Sequence, residues 1–365
     1  MKVNPKIAYF VSSHGFGHAT RTVAILNEIH SIDKSVEFLL VSDLNEAFWK
    51  QNLTSSINFK NYRTQTDIGI VQKDPFRYDL EETIQSLSKF LKPSDIGHEH
   101  LAQTLNSMGV KKVISDISPL GVVIANRLKI PSILVENFTW DWIYESLTSE
   151  KKEFLLISKQ VKRIYETVAL RIQVKPFCKK NDRAFQVNPV HRQFRQSPST
   201  IKSKLGIDPS ESFTLISTGG ISYKYQFLQK LEQSSRNFVI SGNFKKITKT
   251  NNLVFLPIDS NLYYPDLVRS SNQVVSKVGY GTAVECWAAG KKLLGIFRDN
   301  FRESNVLRKF LKSEGLVHEI TLENFDNGDW IQEINKLDGL TPVNREGKNN
   351  GNRTAAQKIL EYPSI

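Results

Sequence analysis

"KIAYFVSSHGFGHATRTVAILNEIHSI", residues 6–32, holds an apolar run, a turn with Gly15 and Gly17, and then Val23, Leu26, Ile29 and Ile32 at helical intervals. The apolar run reads as a strand buried on both faces, and the spacing after it as an amphipathic helix. Repetition of this strand–turn–helix unit decides the fold class. "VEFLLVS", "KKVISD" ending at Asp116, and "PSILVEN" are further strands, and another is predicted near "INFKNY". Helical patterns separate them at "LNEAFWKQN", 79–91, 94–107 and "PLGVVIANRLK". Apolar strands alternating with helices predict a parallel sheet covered on both faces.

A charged helical stretch over 149–170 and the Pro-containing "RAFQVNPVHRQFRQSPST", residues 183–200, then read as the way into a linker. A second alternating series follows. Its strands are "SFTLIST", "NFVISG", "NLVFLP", "NQVVSK" and "KKLLGIF", with helices around 224–234, 262–270, 282–289 and 303–313. The expected architecture is α/β, with two doubly wound Rossmann-like domains facing each other across a cleft. They cover 1–190 and 191–345, followed at 346–365 by a loop ("NREGKNNGN" spans 344–352) and a docking helix. Ligands of open parallel sheets bind beyond the carboxyl ends of the strands, so the cleft is the expected site.

Composition narrows the partners. The 365 residues carry 49 Lys and Arg against 37 Asp and Glu, a net charge of +12. That balance suits anionic ligands, phosphorylated small molecules or the surface of an anionic membrane. The basic residues are spread in doublets, without a basic arm, zinc-finger spacing or RNP-like strand, so nucleic acid is not an expected partner. The chain runs from its start into a strand and has no span of roughly 20 apolar residues. These features predict a cytoplasmic protein, with peripheral contact at the inner face of the membrane open to it. Cys178 and Cys286 lie far apart, which suggests neither a disulfide framework nor a CxxC site.

The first glycine turn fits neither nucleotide fingerprint. Gly15 and Gly17 are followed by Thr20 where the dinucleotide pattern needs a third glycine, and no P-loop ending is present. His14 and His18 stand four apart, yet glycines interrupt any helix between them and no third ligand is evident, so no metal site is expected. A histidine at a strand's carboxyl end can act as a general base, or it can cap the loop by bonding the backbone. Asp116 can orient a substrate or a histidine, or cap the helix that follows through "SDISP".

Four further places offer ligand contacts. In "VVSKVGYGTAVECWAAGKKLLGIF", residues 274–297, a strand delivers Ser276 and Lys277 to Gly279, Gly281 and the helix-starting Thr282. Backbone amides and hydroxyls so arranged suit a diphosphate, and Glu285 one turn on can accept from two vicinal ribose hydroxyls. "STGG" ends another strand with Gly219 and Gly220, a second backbone cradle, and Glu303 begins a helix where a sugar hydroxyl could be held. "ENFTWDWIY" groups Phe138, Trp140, Trp142 and Tyr144 around Asp141, either as an acceptor platform or as core.

"SHGFGHATR", "VISDISPLGVVIANRLKIPSILVENFTWDWIY" and "VVSKVGYGTAVECWAAGKKLL", in that order, resemble segments of GT-B-fold glycosyltransferases. The likeness is to the peptidoglycan N-acetylglucosaminyltransferase group and to its "GHGFGHATR" relatives, one of which forms the N-terminal part of plant arabinose kinases. It runs from about residue 6 to about residue 320. The resemblance implies an inverting, metal-independent hexosyl transfer from a nucleotide sugar, UDP-sugar favoured. The acceptor would be a hydroxyl of a glycan, a lipid-linked sugar or a small molecule, as in cell-envelope glycan synthesis. It matches His18 to the loop histidine, Gly279, Thr282 and Glu285 to the donor motif, Glu303 to the residue reading donor-sugar hydroxyls, and Asn137 to an acceptor-side Asn.

The resulting site has His18 or His14 as base, oriented by Asp116. Gly17, Gly219, Gly220, Ser276, Lys277, Gly279, Gly281, Thr282, Glu285 and Glu303 would hold the donor; Asn137, Trp140 and Asp141 would hold the acceptor. No D-x-D motif calls for a metal, and no cofactor beyond the co-substrate is expected. The first loop lacks the peptidoglycan enzymes' Gly-Gly-His, and Lys277 replaces their Arg. UDP-sugar 2-epimerases share the fold, and they and a non-catalytic sugar-nucleotide binder are the alternatives.

Overall fold

A computed structural model describes residues 5–363 except 13, 93–95, 220–222, 259 and 344–349. Gly220 and most of the 344–352 loop therefore lie outside the described residues. Among those described, fourteen strands form two seven-stranded sheets. The first holds β1 (Lys6–Val11), β2 (Glu37–Ser42), β3 (Phe59–Arg63), β4 (Lys112–Asp116), β5 (Ser132–Glu136), β6 (Leu170–Val174) and β7 (Phe185–Val187). The second holds β8 (Phe213–Ser217), β9 (Asn237–Gly242), β10 (Thr248–Thr250), β11 (Leu253–Pro257), β12 (Gln273–Lys277), β13 (Lys292–Ile296) and β14 (Val317–Glu319).

The sheet orders are β3-β2-β1-β4-β5-β6-β7 and β10-β11-β9-β8-β12-β13-β14. Every pairing is parallel apart from β10 on β11. Without β10 the two sheets share one winding, in which strand order reverses beside the first strand of each. The strands are buried throughout at the centre, all five residues of β4, β5 and β8 included, as the continuous apolar runs require. At such a reversal two loops splay apart and leave a crevice. The register sets the strand ends level there, Val11 beside Asp116 in one sheet and Ser217 beside Ser276 in the other.

The chain divides into two units, one of residues 1–72, 78–190 and 347–365, the other of 73–77 and 191–346. The short segment 73–77 joins the second unit through Phe76, whose ring meets Tyr223 and Phe325 at 5.4 and 6.4 Å between centroids. The helix Gly351–Glu361 returns to the first unit and packs on the helix Phe16–Ile32, burying Ala355, Ala356 and Ile359. Lys112, itself buried, donates to the carbonyls of Ile359 and Tyr362, placing a cation at the helix C-terminus.

The linker expectation changes in two places. "RAFQVNPV" contributes β7, an edge strand on β6, and "SPST" starts the helix Pro198–Lys204, with Ser197 as N-cap and proline in the first turn. The stretch 149–170 separates into the helix Glu153–Tyr165 and the start of β6. Cys178 and Cys286 are free thiols. Among the described residues no helix is long and apolar enough to cross a membrane.

Candidate active site

In the first unit, β1 ends at Val11 and the helix Phe16–Ile32 begins with Gly15 as N-cap at φ 79°. That left-handed value favours glycine, and it aims the uncapped first turn of the helix at the strand ends. His18 and Arg21 follow one turn apart on the buried side of the helix, where they meet Asp116 at the end of β4. His18 Nδ1 lies 2.8 Å from Asp116 Oδ1. Arg21 donates to both carboxylate oxygens, Nε to Oδ2 at 2.8 Å and Nη2 to Oδ1 at 2.5 Å, and its Nη1 reaches Asn137 Oδ1 at 2.7 Å.

Arg21 Nη2 is also 3.2 Å from His18 Nδ1. A ring nitrogen either donates or accepts, and the shorter contact with a carboxylate assigns it as donor. Nε2 then carries the lone pair. Burial by itself would push the Asp116 carboxyl up; the Arg21 guanidinium and the hydrogen bonds from His18 and Arg21 outweigh it and hold the group below its usual range. An ionised carboxylate fixing one imidazole nitrogen leaves the other free to take a proton.

His14 is placed differently. The ring sits against Gly69, where an added Cβ would come within 2.6 Å of Nδ1, and that nitrogen accepts from the Ile70 amide at 3.4 Å. Trp140 meets it edge-on at 5.0 Å. These contacts make His14 part of the wall, and His18 is the histidine joined to Asp116. Among the described residues, no group of three His, Cys, Asp or Glu could hold a metal ion.

Two acceptor expectations are corrected by burial. Trp140 is fully buried, stacked on Tyr144 and donating its indole N–H to Asp67 Oδ2 at 2.7 Å, so its ring supports the site from behind. Asn137 is equally buried and orients Arg21. Asp67, in the loop after β3, is a second carboxylate near His18; burial raises its pKa despite hydrogen bonds from Ser12 and Trp140. Asp141 alone of the three remains partly open, and burial raises its pKa too.

The second unit repeats the placement with different chemistry. Gly219, at φ 75° after β8, lies under Lys277, whose Cε stands 3.9 Å from where a Cβ would project. Gly279 is the N-cap of the helix Tyr280–Ala289, whose first turn holds Gly281 and Thr282, and a Cβ on Gly279 would meet nothing within 4 Å. Lys277 is 8% exposed and Arg298, just after β13, is 7% exposed. Burial, reinforced by Arg298, pulls the Lys277 amine down to about 7, with Glu303 acting in the opposite sense. Lys277 and Arg298 thus lie close together and desolvated, with Lys277 two residues before the N-cap of that helix.

Other donor expectations fare unevenly. Ser276 is buried, hydrogen-bonded to Ser217 and to the Lys277 carbonyl, and so shapes the strand end from within. Glu285 forms a buried fork with Arg192, at 2.7 Å to Nε and 3.2 Å to Nη2, so a ribose would have to share a carboxylate already engaged. Gly17 is in the first turn of the first unit's helix, its carbonyl accepting from Thr20. Arg21, Asp67, Arg192 and Arg298 were not singled out in the sequence, although Arg21 stands in the quoted histidine stretch, one turn after His18.

No family model matches the chain. L-arabinokinase of Arabidopsis thaliana is 25% identical over 370 residues, which cover 97% of this chain and 34% of that protein. The chain thus spans about a third of that relative's length. Among solved structures, Phytolacca americana UGT2 complexed with UDP-2fluoro-glucose and pterostilbene aligns at a TM-score of 0.60 and 13% identity, over 98% of this chain and 93% of that one. The glycosyltransferase SnogD from Streptomyces nogalater aligns at 0.57 and 14% identity, over 98% and 96%. The fold is that of GT-B glycosyltransferases.

Proposed function

We propose that the protein transfers a glycosyl group from a nucleotide sugar, UDP-sugar favoured, to an acceptor hydroxyl with inversion at the anomeric carbon. The observation that carries this reading is the His18–Asp116–Arg21 cluster at the strand reversal of a GT-B fold. The UDP-2fluoro-glucose bound by the Phytolacca protein supports the choice of donor class. His18 Nε2 accepts the acceptor's hydroxyl proton as that oxygen attacks the anomeric carbon. The bond from this carbon to the diphosphate oxygen breaks, and the nucleoside diphosphate leaves with the electron pair. Lys277, Arg298 and the amides at Gly281 and Thr282 meet the charge that develops, in a desolvated site where such contacts are strongest. Helix and side-chain charges then take the part a metal plays elsewhere.

The chain aligns with about a third of L-arabinokinase, so the whole relative's activity is not carried over to it. Incubation with UDP-, GDP- and TDP-sugars and a glycan and lipid extract, following nucleoside diphosphate release and labelled product, tests the proposal. Acceptor-dependent release of one diphosphate is the expected result. A sugar nucleotide interconverted or hydrolysed without acceptor would overturn it in favour of epimerase chemistry. Binding without turnover would point to a sensor.

A further inference from the structure

Proton transfer at the first strand reversal creates a charge that Asp116 does not balance. Arg21 donates to both oxygens of Asp116, so this guanidinium and carboxylate already cancel. When His18 takes a proton, the cluster gains a buried positive charge, which is costly without a further counter-charge. Asp67 is placed to supply one. Its side chain is buried, its Oδ2 accepts from the Trp140 indole at 2.7 Å, and Ser12 also donates to the carboxylate. The Trp140 ring in turn lies 6.5 Å from the His18 ring between centroids. Among the described residues no lysine or arginine pairs with Asp67.

The loop that carries Asp67 is tied down on both sides. The Thr66 hydroxyl donates to the Val11 carbonyl at 2.7 Å, and the Thr66 carbonyl accepts from Ser118 at 2.9 Å. The Gly69 carbonyl accepts from the Tyr144 hydroxyl at 2.9 Å. These bonds join the loop to the end of β1, to the turn after β4 and to the helix Trp140–Ser146, and so fix where the charge sits. Burial pushes the Asp67 carboxyl up and Asp116 adds to this, while Ser12, Trp140 and the His18 charge act the other way. Such coupling is reciprocal: a proton on His18 favours the charge on Asp67, and that charge favours the proton. The other ionisable groups around the cluster are engaged elsewhere or neutral. Glu136 accepts from Arg171 at 2.9 Å, and His14 accepts from the Ile70 amide. Burial pushes the Tyr9, Tyr144 and Tyr165 phenols well above their ordinary range.

We propose that Asp67 is a positioning residue whose carboxylate holds the imidazolium formed when His18 takes the acceptor's proton. The role rests on the transferase reading above. The proton passes from the acceptor hydroxyl to His18 Nε2, Asp67 exchanges none, and the cluster goes from a net negative charge to neutrality. Two measurements test this. The first is the pH profile of acceptor-dependent nucleoside diphosphate release in Asp67→Asn, which keeps an oxygen for the Trp140 indole and removes the charge. The acid limb of kcat/KM should move about one unit toward acid and the plateau fall about tenfold, with UDP affinity within about twofold. A plateau that falls while the limb stays in place shows a purely structural role and overturns the proposal, as does an unchanged profile. The second measurement needs neither turnover nor that variant. The Trp140 indole N–H resonance, assigned through Trp140→Phe, reports the Asp67 charge across pH in the full chain. Its midpoint should move about one unit toward alkaline pH in His18→Gln. Turnover in the unaltered chain with an indole midpoint indifferent to His18→Gln overturns this role alone, even where Asp67→Asn fails to fold. An unaltered chain without turnover overturns the transferase reading and this role with it.

Discussion

The two strand reversals share a winding and differ in their charge. In the first unit four groups at the reversal are matched to one another: Asp116 faces Arg21 and His18, and Arg21 also reaches Asn137. In the second, Lys277 and Arg298 are buried close together, with Glu303 acting on Lys277 in the opposite sense. A closed network fixes the geometry of one imidazole, as a base requires. On the proposed function, two cations held close together would receive an anion, as a leaving-group site requires. On the proposed function, one topology would serve both halves of a transfer reaction by the choice of residues at the loops after its strands.

The largest expected effect is on stability, and it should be alike in both units. Asp116→Ala leaves the Arg21 guanidinium buried without its counter-charge, and Glu285→Ala does the same to Arg192. Each should cost ~3–5 kcal/mol in denaturant unfolding. A near-neutral result for Glu285→Ala, coupled with loss of UDP binding, would return Glu285 to the ribose role and break the contrast drawn here.

Lys277→Met should act the other way. Removing one of two crowded buried cations leaves stability unchanged or raises it, while UDP affinity falls about 10- to 100-fold, the range for one hydrogen bond to a charged group. Calorimetry beside thermal unfolding separates the two effects.

A smaller effect lies in pH. The Lys277 amine is held near 7 in the folded chain, below its ordinary 10.5, so between those values the unfolded chain binds the extra proton. Lys277 therefore makes stability rise as pH climbs from about 7 to about 10.5, a limb that Lys277→Met should flatten. A bound diphosphate favours the charged amine, so binding above pH 7 takes up a proton. Affinity should drop by up to about tenfold per pH unit between pH 7.5 and 9, with uptake visible as a dependence of the calorimetric heat on buffer. Gly15→Ala comes last. Nothing blocks the added methyl, so only the backbone resists it, whose positive φ with extended ψ is essentially confined to glycine, at about 1–3 kcal/mol.

Much of this arrangement was readable in the sequence, because apolar runs and glycine turns are local. β1, β4, β8 and β12 stand where the pattern puts them, with Asp116 and Lys277 at strand ends and His18 in the helix after β1. The counter-ions were not readable. Arg21 and Asp116 are 95 residues apart and Arg192 and Glu285 are 93 apart, so nothing local marks either pair. Trp140 and Asp141 are adjacent in an aromatic stretch, and composition does not say which side of the helix is buried. β7 was hidden by its brevity, since three residues at a sheet edge, two of them half-buried, leave no apolar run.

The division of labour between the reversals is tested most directly by His18→Ala, with turnover and UDP affinity measured on the same preparation. Loss of a general base should slow turnover by about 10²–10⁴-fold while the UDP dissociation constant stays within about twofold. Turnover left intact, or UDP affinity lost in step with rate, would contradict the assignment of proton transfer to the first unit.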